Sequence, residues 1–181
     1  MLRVVIPERE FFDERTNEFV ETDSTVLTLE HSLLSLAKWE SKWCKPFLGT
    51  TNKTHEECVD YIRCMTMNEE YVNPLVYRGI PKKVFDQIDK YIEEPMTATT
   101  INDTVVGKKN HERITAEIIY YWMSALEIPF ECEKWHLNRL LMLIRVSNIK
   151  NAPQKKMSKK DIYAQNRALN EARKKKLGTR G

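Results

Sequence analysis

The sequence predicts a mainly α fold: a compact helical domain with a small N-terminal β-hairpin or sheet and a basic C-terminal helix. Three observations carry this. Glycine is scarce at 5 and proline modest at 7 in 181 residues, which leaves little turn chemistry for a many-stranded fold and favours helices. The apolar spacing changes from alternation to a three-and-four pattern near Leu29. The charge is unevenly divided: eleven Lys and Arg between Lys150 and Gly181 face only Asp161 and Glu171, so this tail carries +9 and residues 1–149 carry −6 of the net +3. The expected organisation is a helical domain over 1–149 with the N-terminal β element, then a basic helix or tail over 150–181.

"LRVVIP" reads as a short strand stopped by Pro7, and "TVLTL" as a second, with Val26 and Thr28 alternating against Leu27 and Leu29. Polar turn chemistry in "FVETDS" precedes it. A sheet this small must pack on helices to be stable. In "EHSLLSLAKWESKWCKPFL", Leu33, Leu36, Trp39 or Ala37, and Trp43 form one apolar face of a helix ended by Pro46. Thr54 followed by Glu57 is a capping box opening a second helix, with Cys58, Tyr61, Ile62 and Met65 on one face. Pro81, in a first-turn position, opens a third whose stripe is Val84, Phe85, Ile88, Tyr91 and Ile92.

Residues 96–113 have no sustained period and read as a polar loop. Two apolar runs follow. Ile114 to Leu126 is apolar on nearly all sides. Pro129 then separates it from a second helix with Glu131 and Glu133 in its first turn, the favourable sign there. Neither run offers the roughly 18 uncharged residues of a membrane span, because Arg139 and Arg145 interrupt the second. The expectation is a buried antiparallel helical hairpin at the centre of the core. Past Asn151, "NAPQKKMSKKD" is a polar joint, and Ser158 with Asp161 starts a last helix whose thin apolar stripe is Ile162, Ala168 or Leu169, and Ala172.

Enzyme motifs are missing from the sequence: it has no Gly-rich phosphate loop, no GxSxG, no HExxH and no CxxC. His55, Cys58, Cys64 and Cys44 are ligand types that suit zinc, but Cys58 and Cys64 fall on roughly opposed helix faces. Cys58 then reads as a small core residue and His136 as a structural histidine. Cys132, near a helix start, lacks a fixed His or Asn partner for nucleophilic catalysis. The four cysteines in a chain this long argue against a disulfide framework, and "MLRVVIPERE" lacks the pattern of a secretion signal. A cytoplasmic, non-enzymatic protein without cofactor or metal is the expectation. Lys155, Lys156, Lys159, Lys160, Arg173, Lys174, Lys175 and Lys176 could neutralise phosphates, yet only Tyr163 supplies an aromatic for base stacking, which disfavours nucleic acid.

The segments "LEHSLLSLAKWESKWCKPFL", "DYIRCMT", "EPMTATTIND", "ITAEIIYYWMSALEIPFECEKWHLNRLLMLIRV" and "KKMSKKDIYAQNRALNEARKKKLGTRG" together resemble a family of tailed-bacteriophage proteins placed among the tail assembly chaperones. The resemblance runs from Val26 to Gly181. It implies a protein of the host cytoplasm that coats the tape measure protein, brings major tail tube subunits to it and is missing from the finished virion. Self-association is a further expectation. Members are often made in two lengths by ribosomal frameshifting, and "KKK" at 174–176 is compatible with a slippery codon run. Client contact is expected through apolar helix surfaces, first around Trp39, Trp43, Trp122 and Trp135, although each also suits the core, and through the basic residues just named. Two alternatives stand beside this reading: a structural virion protein of the tail, neck or baseplate, and a nucleic-acid-binding phage protein using the basic tail.

Overall fold

In a computed structural model, residues 1–13, 17–101, 113–152 and 159–178 are described. Four strands open the chain: β1 (Leu2–Ile6), β2 (Arg9–Asp13), β3 (Glu18–Thr22) and β4 (Thr25–Leu29). Both pairs are antiparallel and nested, β1 with β4 and β2 with β3. Pro7, which has no N–H to donate, and Asp23–Ser24 opposite it interrupt the ladder between the two pairs. Most of the segment "FVETDS", expected to be a turn, is strand: Phe19–Thr22 belong to β3. Of the polar side chains that suggested a turn, Glu21 is exposed, whereas Thr22 is buried and its hydroxyl donates to the Arg9 carbonyl at 3.3 Å.

The inward residues of β1 and β4 are Val4, Ile6, Leu27 and Leu29, all buried. The outer edge of β4 is sealed by the segment after the second helix. Glu30 N–H donates to the Met65 carbonyl at 2.9 Å, and Met67 N–H to the Thr28 carbonyl at 2.8 Å. Asn68 completes the seal by accepting from Thr28 N–H and donating to the Val26 carbonyl, each at 3.0 Å.

Helix α1 (Leu33–Trp43) starts at Ser32, whose hydroxyl accepts from Ser35 N–H, and ends at Cys44 in the left-handed conformation, φ 51°. Pro46 lies two residues further on, the usual place for a stop. The capping box of α2 (His55–Met65) is present in both directions between Thr54 and Glu57. Tyr61, Ile62 and Met65 are buried there, whereas Cys58, expected in the core, is half-buried. Short 3-10 segments, Glu69–Tyr71 and Pro74–Gly79, lead to α3 (Lys82–Glu93), where Pro81 is the residue before the first turn rather than within it. Val84, Ile88 and Tyr91 form its buried line.

The expected helical hairpin is rearranged. α4 spans Ala116–Ala125, and only Ala116, Ile119 and Met123 are buried along it. Glu131 and Glu133 do sit in a first turn, but in that of a separate 3-10 segment, Phe130–Lys134. Trp135 is extended, φ −72° and ψ 162°, and His136 pairs in a single β-bridge with Ser32. α5 (Leu137–Asn151) then begins with Leu137 N–H donating to the His31 carbonyl at 2.7 Å. That tie to the start of α1 breaks the helix the apolar run predicted.

The core has two clusters rather than one hairpin centre. The first joins β1, β4, α2 and α3 around Trp39; the second joins α4 and α5 around Leu33 and Leu36. α1 is the element they share, offering Trp39 to one cluster and the two leucines to the other. The chain divides into two compact units, Met1–Asn148 and Ile149–Gly181. The second contains α6 (Lys159–Leu177), a 19-residue helix.

Candidate functional site

The four tryptophans divide between the clusters. Trp39 is fully buried, its indole N–H donating to the Glu57 carbonyl at 2.9 Å. Trp43, one turn on, is half-buried and donates to Asp60 Oδ2 at 2.8 Å; Asp60 also pairs with Lys42. Phe47 stacks on Tyr61 with ring centroids 3.8 Å apart and meets Trp39 edge-on at 5.0 Å. Trp39 is therefore a core residue. Trp122 and Trp135 are both half-buried against the second cluster. The Arg139 guanidinium lies 4.3 Å from the Trp135 ring, a cation–π contact. Thus the structure puts Trp39 beside Trp43 and leaves Trp122 and Trp135 on other parts of the domain.

Of the basic residues, Lys160, Arg173, Lys174, Lys175 and Lys176 are exposed on α6. Lys155 and Lys156 lie outside the described residues, as does most of the expected loop at 96–113, and Lys159 is described only as the first residue of α6.

A buried polar network joins the sheet, α2, α3 and the start of α5, and no motif in the sequence signals it. Tyr61 Oη and His31 Nδ1 are 2.6 Å apart. The His31 and His136 rings meet edge-on at 5.1 Å. Asn138 N–H donates to His136 Nδ1 at 3.3 Å, which leaves Nε2 to donate to the Tyr91 carbonyl 3.1 Å away. Tyr91 Oη donates to Glu30 Oε1 at 2.7 Å. Burial pushes the His31 pKa down to about 3, with His136 adding to the shift, and burial also lowers that of His136. Both rings are neutral at neutral pH, and every polar atom named has a partner. This is a satisfied structural network. A cleft of about 280 Å³ opens beside it, lined by Glu30, Tyr91, Met96, Trp135, His136 and Arg139 among others.

The zinc candidates are not assembled: among the described residues no group of three or more His, Cys, Asp or Glu could hold a metal ion. Burial raises the pKa of the thiols of Cys58 and Cys132 and brings that of Cys64 to about 11, the opposite of an activated nucleophile. Among the described residues no helix is long and apolar enough to cross a membrane.

An incompletely covered apolar surface lies on the outer side of α4. Ile118 and Trp122 are half-buried, Tyr121 is 69% exposed and Ala125 is exposed. They recur at i, i+3, i+4 and i+7, so they form one stripe facing away from Ile119 and Met123. Phe130, 56% exposed, follows in the 3-10 segment and lies 6.2 Å from the Tyr120 ring. Sequence reasoning reached Trp122 here and favoured a core position for the helix, because a helix apolar all round is normally interior, while leaving one side open to a partner. No protein-family model matches the chain, and neither does any curated protein or solved structure.

Proposed function

We propose that this protein is a non-enzymatic phage tail assembly chaperone that binds the tape measure protein in the host cytoplasm, presents it to tube subunits and stays out of the mature virion. The reading starts from the sequence resemblance between Val26 and Gly181. The structural observation that supports it is the α4 stripe of Ile118, Tyr121, Trp122 and Ala125. An amphipathic client helix docks through anchors of the same i, i+3, i+4, i+7 spacing, so two such stripes can interdigitate. A tape measure chain, long and helical with apolar faces still uncovered, is a client of that chemistry. Trp122 and Tyr121 supply the large, low-entropy contacts that dominate such interfaces.

The test is co-expression with the tape measure protein of the same phage, with pull-down, client solubility and mass spectrometry of purified virions. The expected result is a client soluble only with this partner, virions lacking the protein, and loss of client solubility in Tyr121→Ser and Trp122→Ala variants that retain their circular dichroism. Tyr163→Ser, on α6, is the control. A second reading, a structural virion protein, has one observation in its favour: among the described residues β2 and β3 have no third strand in their sheet, so their outer edges suit a neighbour's strand. Fixed copy number in virions with no client association would select it and end the chaperone reading.

A further inference from the structure

We propose that α6 of one copy docks on the β2–β3 hairpin of a second copy, so that two copies exchange their basic helices. This does not depend on the identity of the client. The hairpin face is laid out by its register. Glu10 is directly opposite Glu21 and Phe12 directly opposite Phe19, and alternation puts all four on one face. Phe12 and Phe19 are 46% and 69% exposed, their rings meeting edge-on at 5.2 Å. Like charges directly opposite each other destabilise a hairpin. A cationic partner reaching Glu10 and Glu21 would turn that repulsion into attraction. In the sequence, residues 8–23 hold seven acidic side chains against Arg9 and Arg15, a net −5 that is nearly all of the body's −6.

The complementary surface is on the same chain. From Lys159 to Leu177 seven Lys and Arg face Asp161 and Glu171, a net +5. Side chains described along α6 are exposed throughout, including Ile162 and Leu169 at 44% and 48%. A lone helix of this length has no stability to spare in water and takes it from a surface that covers its apolar side. Ile162, Leu169, Arg173 and Lys176 follow one another at helical spacing along one face: apolar first, then basic. Leu169 to Arg173 is four residues, about 6 Å along the axis. Phe12 to Glu10, or Phe19 to Glu21, is two strand residues, about 7 Å. A leucine over the aromatic pair therefore sets an arginine over the glutamate pair. Reciprocal docking under a two-fold axis makes the contact twice and closes the assembly at a dimer.

Charge reversal gives a test that separates this contact from the same contact within one chain. Full-length protein is examined by analytical ultracentrifugation at about 0.1 M and about 1 M salt, across which the Debye length falls from about 10 Å to about 3 Å. One variant carries Arg173→Glu and Lys176→Glu; the other carries Glu10→Lys and Glu21→Lys. Circular dichroism confirms that each is folded. Wild type is expected to form a dimer whose dissociation constant rises by about tenfold or more with salt. Each variant alone is expected to be monomeric, having like charge at the four contacting positions, 10 and 21 on the hairpin and 173 and 176 on α6. Mixing the two is expected to restore a one-to-one heterodimer, because every α6 then meets a hairpin of opposite charge. A wild type that is monomeric at low salt, variants that still self-associate, or a mixture that does not pair would each overturn the proposal.

Discussion

Glu40 ties three segments together. It is only 6% exposed, in the middle of α1. Oε1 accepts from Phe47 N–H and Oε2 from Ala116 N–H, both at 2.7 Å. Ala116 is the first residue of α4, and the Thr115 side chain gives that helix no cap bond. Glu40 therefore caps α4 from another helix, placing negative charge at the positive end of its dipole. In Glu40→Ala two charge-assisted hydrogen bonds are lost and two amide donors stay without their acceptor. At about 1.5–3 kcal/mol each, the expected loss is about 3–6 kcal/mol, a large part of the roughly 5–15 kcal/mol available to a domain. Glu40→Gln preserves shape and one acceptor oxygen but turns an NH2 group toward the other amide, and should lose about 2 kcal/mol. Glu117→Ala, exposed in the first turn of α4, should stay within about 0.5 kcal/mol. Urea unfolding followed by circular dichroism measures this, and with a slope of about 1–3 kcal/mol per molar the Glu40→Ala midpoint moves by about 1 M or more. A Glu40→Ala midpoint within experimental error of wild type, or a Glu40→Gln variant as stable as wild type, would refute the account of Glu40 as a cap in trans.

Trp39→Phe removes the indole donor to the Glu57 carbonyl and opens a small void in the first cluster; the expected loss in the same urea assay is about 2–3 kcal/mol. His31 is neutral in the fold with its pKa near 3, so the unfolded chain takes up its proton first as pH falls. The stability from keeping it neutral is complete above about pH 6.5 and falls by about 1.4 kcal/mol per pH unit below that, continuing toward pH 3. Histidine NMR should show the native His31 ring not titrating between pH 7 and about 5, and a normal titration there would contradict its burial. Cys44 is exposed, whereas Cys132 is buried and Cys58 and Cys64 are half-buried with raised thiol pKa values. A thiol reagent at neutral pH should therefore modify Cys44 of the native protein quickly and the other three only on unfolding; four equal rates would count against the packing of α2 and the 3-10 segment.

Helix existence was legible wherever a period and an end signal agreed. The Thr54–Glu57 capping box, the Pro46 stop and the α3 stripe are local features, formed by residues three or four apart, so they can be read without knowing the rest of the chain. The basic last helix was legible for the same reason. The reading failed where a distant segment competed. The apolar run after Pro129 has good helical composition, but the His31 carbonyl captures Leu137 N–H and Ser32 bridges His136, so the helix starts late. In β3 the polar residues suggested a turn because the buried position at its end is a threonine, Thr22, and the exposed face carries Phe19, so the apolar–polar alternation is reversed. The exposed side of α4 was only partly legible, through Trp122. A helix of aromatic and aliphatic residues looks interior, yet the second cluster covers only Ala116, Ile119 and Met123.

The sequence by itself determined the class, the helices whose period and end signals agree, with the Thr54–Glu57 cap, and the separation of an acidic body from a basic tail, because composition, period and charge are properties of the chain order. Only the tertiary structure decided which apolar side chains stay in view, that Glu40 and two neutral histidines are interior, and that Glu10 and Phe12 face Glu21 and Phe19. Those depend on strand register and on which helix covers which face, and these are set by contacts between residues far apart in the chain.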